Sequence, residues 1–501
     1  MRPLSPLTLE IIVLITGLYL LLAESFSKAE KKEWIAQTGI FVLFWVFCFS
    51  FFTTGNPDPL PAEPFWHFYS ADAFALFFKR IALLTTIIVL AMSIEYRGVL
   101  ARFLPKGPEG AGLGEFYFLP VFTCAGLMFM ASAVDFLFIF VALEMVTISF
   151  YVLVAYMRQN ASSLEAGVKY LILGALSTGF LVYGITWIFG VTGETNLALI
   201  AQKLPALSRV EKPLLFGIML VVVGLGFKIA AAPFQIWVPD VYQGAPTPVT
   251  AYLSVGSKAA GFIVLMRVLQ PFVQAPGIGP KIVLLLAIVA GASLIYGNLA
   301  AMPQDNLKRM LAYSSIGHAG YLLVALASVH SSAALFGTAG EAVGFYLMGY
   351  LFMTLLSFVV MIVVANHSRG DDIVHFNGLS RRSPFLAFGM LIAMLSLAGL
   401  PFTAGFIGKF LVFAAAVQDR HFVLIAIGAI TVGAGFYYYL RVVAAMYWQE
   451  PTDDTKIHVR PLTRIIIGAL ALAIVVFGVY PAPILNALKE GPRSTLQAAR
   501  P

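Results

Sequence analysis

The sequence predicts an all-α polytopic membrane protein, and three observations carry that prediction. Of its 501 residues, 60% come from the set AVILMFWYC, against roughly 45–50% apolar in a soluble domain. Only 11% are charged, where about 25% is usual, and the mean hydropathy is +0.88. Apolar runs of about 20 residues, long enough to cross a bilayer as helices, recur fourteen times along the chain. With 32 Lys+Arg and 25 Asp+Glu, the chain cannot cover a soluble surface of this size, which excludes a cytosolic enzyme, a disordered chain and a nucleic-acid binder.

The spans read Leu7–Ala23, Trp34–Thr53, Ala71–Ile94, Phe116–Ala133, Phe136–Met157, Val168–Phe189, Pro213–Ala232, Val249–Val268, Ile282–Met302, Met310–Val329, Ala342–Ala365, Pro384–Val417, Phe422–Trp448 and Leu462–Tyr480. Arg2 followed by an apolar stretch resembles a signal peptide, but Glu10 interrupts it and no small-residue cleavage site follows Ala23; it reads as a retained first span. Cys48 and Cys124 stand alone in apolar runs and read as small buried hydrophobes. No long soluble insertion divides the chain into separate domains.

Basic residues set the orientation. Loops after odd-numbered spans hold 16 of them (Lys28, Lys31, Lys32, Arg97, Arg102, Lys106, Arg158, Lys169, Lys308, Arg309, Arg369, Arg381, Arg382, Lys456, Arg460, Arg464), and the other face holds 10. The bias predicts both termini outside the cytoplasm and accounts for the net charge of +7.

Spans 7 and 12 are abnormal. They contain Pro233-Phe234 in GLGFKIAAAPFQIWVPD and Pro401-Phe402 in SLAGLPFTAGFIGKF. A proline deep in a span removes a backbone donor and clashes with the preceding turn, so both helices are expected to break. Irregular backbone at membrane depth survives only where protein buries it or it lines water, and paired broken helices mark transport sites. The breaks lie five spans apart, so the broken helices run in opposite directions. That spacing predicts an inverted repeat, with three N-terminal helices in 1–115, a first unit of spans 4–8 in 116–270, a second of spans 9–13 in 281–448, and a last helix in 462–480.

Four ionisable residues fall deep inside spans: Glu144, Lys228, Lys258 and Lys409. Unpaired, they would cost on the order of 10–14 kcal/mol. Structural ion pairs are one reading, but three lysines share a single obvious carboxylate. The other reading is a proton path, since burial disfavours a charged ammonium and a nearby carboxylate favours it. Moving Glu144 relative to Lys228 would then load or release a proton. His318, mid-depth in span 10, suits a relay; alternatively it is a neutral core histidine bonded to a hydroxyl such as Ser314. Lys79 and Arg80 either snorkel or precede their true span, and Glu10 and Arg441 stay open. Asp72, Asp135, Glu341 and His330 read as solvated interface residues, and Tyr437, Tyr438, Tyr439 and Trp448 as packing and interfacial belts. No phosphate loop, dinucleotide fingerprint, iron–sulfur cysteine set or haem-ligating histidine pair is apparent.

The runs LEMVTISFYVLVAY, GFKIAAAPFQIWVPDVYQGAPTPVTAYLSVGSKAAGF, LKRMLAYSSIGHAGYLL and SLAGLPFTAGFIGKFLVF closely resemble the antiporter-like subunits of respiratory complex I, NADH:quinone oxidoreductase. The resemblance covers nearly the whole chain. It implies fourteen helices with two inverted five-helix units and assigns proton transfer to the charged pair Glu144 and Lys228, the central Lys258, the relay His318 and the terminal Lys409. Lysine at 409 and the short stretch after Tyr480 resemble the N type among the three homologous subunits. The implied neighbours are the M, K and J types and the lateral helix of the L type. NADH, flavin, iron–sulfur clusters and quinone would then reside in partner subunits, with no cofactor in this chain. A cation/proton antiporter subunit and a purely structural membrane subunit are the competing functions.

Overall fold

The computed structural model describes residues 6–26, 32–53, 67–104, 113–206, 211–328, 338–368, 370–451 and 455–488. Of the residues singled out above, Arg2, Lys28, Lys31, Lys106, His330 and Arg369 lie outside these, as does Val329 at the end of span 10.

Among the described residues the chain is helical, with no β-strand. Three helices come first, α1 (Leu7–Phe26), α2 (Glu33–Phe49) and α3 (Ala73–Leu100). The next group comprises α4 (Leu113–Ser132), α5 (Phe136–Val154), α6 (Ala161–Thr192), a short connecting helix α7 (Leu197–Lys203), α8 (Glu211–Lys228), α9 (Val238–Gly244), α10 (Thr247–Tyr252) and α11 (Lys258–Val273). Then follow α12 (Gly279–Ala301), α13 (Leu307–Ala327), α14 (Thr338–His367), the single turn α15 (Leu379–Arg382), α16 (Pro384–Ala398), α17 (Ala404–Gln418), α18 (Phe422–Trp448) and α19 (Pro461–Val479). Among the described residues, eleven spans are continuous helices long and apolar enough to cross a membrane. Adding the shorter α2 and the split pairs α8/α9 and α16/α17 gives the fourteen read from the sequence.

Side-chain caps fix several helix starts. Asp72 accepts from Ala75 N at 2.6 Å, Asp135 from Leu137 N at 2.8 Å and Asn306 from Arg309 N at 3.1 Å. Each satisfies an amide that the first turn leaves without a partner. Two caps also take part in matching backbone bridges, Asp135 with Asn196 and Asn306 with Asp372. In each five-helix unit the bridge joins the start of the second span to the segment after the third. The two bridges lie at opposite ends of the bundle, which is the relation an inverted repeat requires.

Burial is uneven. The spanning window of α13 is buried throughout, while those of α6 and α19 are only 28% buried. The ring of exposed apolar side chains on α1, α2, α5, α6, α18 and α19 is the lipid- or subunit-facing surface, and α10, α11, α13 and α14 form the centre. Close approach at the centre uses glycine. Gly297 of α12 lies against the backbone of Gly317 on α13 with no space for a Cβ, the small-residue contact typical of membrane helices.

Several charged residues differ from expectation. Lys79 does not snorkel; it is fully buried, its Nζ 2.7 Å from Glu10 Oε1 and 2.7 Å from Tyr69 Oη. Arg80 donates to Ser50 O at 2.8 Å. Asp72 and Asp135 are not solvated. Asp72 pairs with Arg267 at 2.8 Å and Asp135 accepts from Thr195 Oγ1 at 2.7 Å, both buried. The buried partners Arg267 and Thr195, added to the caps, hold them inside. Glu341 is partly buried, Arg441 faces Asp305 at 3.6 Å, and Cys48 is half-buried while Cys124 is buried.

Candidate proton-transfer axis

Both expected breaks are present. In the first, α8 ends at Lys228 and α9 begins at Val238, with Ala230 at φ 63° and a cis peptide before Pro233. In the second, α16 ends at Ala398 and α17 begins at Ala404, with Gly399 at φ 92° and Phe402 at φ 68° around Pro401. A third irregularity, a π-helical turn over Leu253–Ser257, sits immediately before Lys258. Such turns add a residue to a helix and recur at functional sites.

The central cluster forms around Lys258. Its Nζ donates to Ser315 O at 2.5 Å and also contacts Ser315 Oγ, and it lies 5.4 Å from the Tyr350 ring centre. That ring stands 4.9 Å from the imidazole of His318. His318 Nδ1 lies 2.7 Å from Tyr346 Oη and Nε2 lies 3.1 Å from Tyr439 Oη, so both ring nitrogens have hydroxyl partners. Ser314 bonds Tyr439 instead of the histidine. Tyr321, stacked on Tyr346 with ring centres 6.4 Å apart, presents its face to Lys409 Nζ at 5.2 Å. Lys409 donates to Leu397 O at 3.0 Å and Ala398 O at 2.7 Å, the last carbonyls of α16. The structure thus joins Lys258, His318 and Lys409 through serine and tyrosine side chains.

Glu144 and Lys228 form a separate station. They make no direct ion pair. Lys228 Nζ donates to Thr147 Oγ1 at 2.7 Å, and Glu144 Oε1 accepts from Thr178 Oγ1 at 2.9 Å. Glu144 and Thr147 are three residues apart on α5, hence neighbours on one helix face. The Thr147 hydroxyl itself donates to Leu143 O at 2.7 Å, so Glu144 and Lys228 are near neighbours held by different threonines. The reason is position: Glu144 is half-buried between α5 and α6, whereas Lys228 is buried in the core.

Thr147, Thr178, Ser315, Tyr321, Tyr346, Tyr350 and Tyr439 are the partners that sequence reasoning passed over. Ser315 precedes His318 by one helical turn, which is the signal available for it. Tyr438 and Tyr439 are fully buried, as the packing reading expects, whereas Tyr437 is exposed on the outside of α18. Tyr438 donates to Asn298 Oδ1 at 3.0 Å.

A polar cavity of about 1010 Å³ opens at the bundle end opposite the N-terminus, lined among others by Tyr96, Glu165, Asp240, Lys308 and Asp371. At its rim Asp240 holds Lys169 at 2.7 Å and Arg309 at 2.8 Å. Behind this wall, on the same helix as the lining residues Asp240 and Gln243, the buried Tyr242 places its Oη 3.3 Å from Ser315 Oγ. Among the described residues no three His, Cys, Asp or Glu side chains converge as a metal site would need.

Comparison with known proteins follows the same outline. Residues 133–435 match the family model described as NADH:quinone oxidoreductase/Mrp antiporter, TM. A NADH-quinone oxidoreductase subunit N from Desulforamulus reducens is 40% identical over 429 residues, 85% of this chain and 86% of that one. A chain of respiratory complex I from Thermus thermophilus, solved with bound aureothin, superposes with a TM-score of 0.79 at 31% identity, over 96% of this chain and all of that one. A chain of the Mrp complex from Dietzia shares the fold, with a TM-score of 0.81 at 17% identity over 98% of both chains.

Proposed function

Because the chain belongs to the subunit N family of NADH-quinone oxidoreductases, we propose that it moves protons through the buried axis Glu144, Lys228, Lys258, His318 and Lys409. Redox chemistry in other subunits drives the movement. The observation that carries this reading is the unbroken succession of side-chain contacts from Lys258 through Ser315, Tyr350, His318, Tyr346 and Tyr321 to Lys409, in the most buried part of the bundle. The hydroxyls of Ser315, Tyr346 and Tyr439, which both donate and accept, bond Lys258 and His318. Past Tyr350 and Tyr321 the contacts are between rings or onto a ring face, so a proton crosses those steps on water or by side-chain rotation.

In this reading Lys228, held by Thr147 and within the field of Glu144, is loaded from the flank of the first unit. Lys258 is the central store, supplied from the polar cavity. His318 relays and Lys409 is the terminal station. Driving one charge against 100 mV takes about 2.3 kcal/mol, which the electron-transfer subunits supply. The chain itself carries no cofactor; NADH, flavin, iron–sulfur clusters and quinone belong to its partners. The partners are M-, K- and J-type membrane subunits and the lateral helix of an L-type subunit. The location is the cell's plasma membrane, with both termini on the non-cytoplasmic side as the basic loops favour.

The test is Lys258→Ala in the assembled complex. Loss of proton translocation with the complex intact is the expected result; full translocation would overturn the reading, and loss of assembly alone would favour a structural role. The shared fold with an Mrp subunit keeps one second reading, a cation/proton antiporter subunit. That reading requires sodium-dependent proton exchange with no electron donor present.

A further inference from the structure

The polar cavity ends on a buried lysine that the axis does not use. Lys308 is 3% exposed. Its Nζ donates to Ala245 O at 3.1 Å and lies 3.0 Å from Asp371 Oδ2, which is 24% exposed toward the cavity side. Ala245 belongs to the link between α9 and α10 and Asp371 to the segment after α14, so the lysine ties the first five-helix unit to the second.

As a mere strut, this lysine is poorly placed. It is the second residue of α13, at the positive end of the helix dipole, where a cation is disfavoured. A buried ion pair adds little net stability once desolvation is counted. The segment carrying Asp371 is already pinned without it: Leu307 N donates to Asp371 O at 2.9 Å, Ile373 N to Asp305 O at 2.8 Å and Asn306 Nδ2 to Asp372 Oδ1 at 2.9 Å.

What lies behind the lysine is polar. Thr247, two residues after the Ala245 carbonyl that Lys308 holds, is buried beside Tyr96 of the cavity wall, and Tyr242 Oη approaches Ser315 Oγ, which Lys258 contacts. Lys308 and Ser315 are seven residues apart on α13, two turns or about 10 Å along one face. Lys308, which lines the cavity, therefore stands two turns of α13 before the Ser315 that Lys258 contacts, with only Leu311 and Ala312 on the turn between.

We propose that Lys308, held by Asp371, is the positioning residue that closes the cavity off from Lys258, and that parting the pair admits water to Thr247 and Ser315. The proposal rests on the reading that Lys258 is supplied from this cavity. Opening requires no helix to move, only the lysine side chain to swing from Ala245 and Asp371 into the cavity.

The test places a reporter behind the gate: Thr247→Cys in a chain with Cys48→Ser and Cys124→Ala, within the complete complex in native membranes. A charged, water-soluble methanethiosulfonate is applied from the cavity side, and modification of this subunit is read by mass. With Lys308 and Asp371 intact, labelling is slow; Asp371→Asn or Lys308→Ala raises the rate about tenfold or more, a gate of about 1.4 kcal/mol. Asp371→Asn, on the cavity side, carries the test where Lys308→Ala fails to assemble. Equally fast labelling with the pair intact, or unchanged labelling in assembled Asp371→Asn, overturns the gate. Proton translocation in Lys258→Ala is measured alongside. Retained translocation there sinks the proton-path reading while gated labelling stands, and ungated labelling sinks the gate while lost translocation stands.

Discussion

The two broken spans carry the same Pro-Phe signal and resolve it in opposite ways. At the first break, neutral groups satisfy the end of α8. Ala231 N donates to Gly226 O at 2.9 Å, and Ala230 N and Trp237 Nε1 both donate to Phe227 O, at 3.2 and 3.1 Å. With its helix end already capped, Lys228 reaches sideways to Thr147 on another helix. At the second break the lysine is itself the cap, because Lys409 bonds Leu397 O and Ala398 O, the carbonyls that α16 leaves over. Exposure differs only beside the helix end, since Ile236 farther along the first break is itself 71% exposed. Ala230, Ala231 and Ala232 are buried, whereas Leu400 and Phe402 are 37% and 75% exposed. One lysine is free to exchange partners between helices; the other must be replaced at a helix terminus before it can leave.

The sharpest way to break this comparison is to remove each charge at nearly constant volume. Lys409→Met strands two carbonyls in an apolar setting and is expected to cost about 2–3 kcal/mol of subunit stability, whereas Lys228→Met, after which the Thr147 hydroxyl still donates to Leu143 O at 2.7 Å, is expected to cost about 1 kcal/mol or less. Proton translocation falls in both. Denaturation midpoints of the detergent-solubilised complex read the difference, and equal losses would mean that Lys409 is no cap.

Packing provides the second contrast. A Cβ on Gly478 of α19 would meet the backbone of Phe402 and Thr403, which cannot give way. A Cβ on Gly226 of α8 would meet the Phe234 ring at 2.6 Å, a half-buried side chain that can swing. Gly478→Ala is expected to destabilise by about 1–3 kcal/mol. For Gly226→Ala the gain in helix propensity, up to about 1 kcal/mol, offsets much of the clash. The same denaturation midpoints compare them; a larger loss at Gly226 would show that the first break is the more tightly packed of the two.

What the sequence made legible follows the same division. Pro233, Pro401 and the five intramembrane ionisable residues stand out because each violates a bilayer rule on its own, and the structure has both breaks where those prolines stand. The partners do not stand out. Thr147 and Ser315 are ordinary small residues on apolar helices, and Tyr346, Tyr350 and Tyr439 resemble any packed aromatic until α13, α14 and α18 are brought together. The split of Glu144 from Lys228 was equally hidden, since spacing on separate helices sets no distance between them. Asp72 and Asp135 misled for a related reason: a residue at a helix start looks solvated in sequence, and only the fold brings Arg267 and Thr195 against these two.

The third contrast concerns the links that hold the first break in place from outside. Ser293 Oγ of α12 accepts from Ala232 N at 2.9 Å, a bond from the second five-helix unit into the break of the first. Ser293→Ala leaves a buried amide without a partner and is expected to cost about 1–2 kcal/mol. Faster hydrogen exchange at residues 229–237, with residues 399–403 unchanged, is the signature; equal change at both breaks would mean that the two communicate.

Trp237→Phe is expected to have the smallest effect. The ring packs 4.8 Å from Tyr170 and 5.1 Å from Phe227, centre to centre, and a phenylalanine retains most of that contact. Only the Nε1 donation to Phe227 O is lost, and that carbonyl keeps its bond from Ala230 N. The cost is therefore less than about 1 kcal/mol, because no buried group is left without a partner. Exchange of the Ala230 amide should speed up slightly while Lys228 remains bonded to Thr147. If Trp237→Phe instead abolished proton translocation at unchanged stability, the cap of α8 would have a part in moving the proton, and the first break would resemble the second after all.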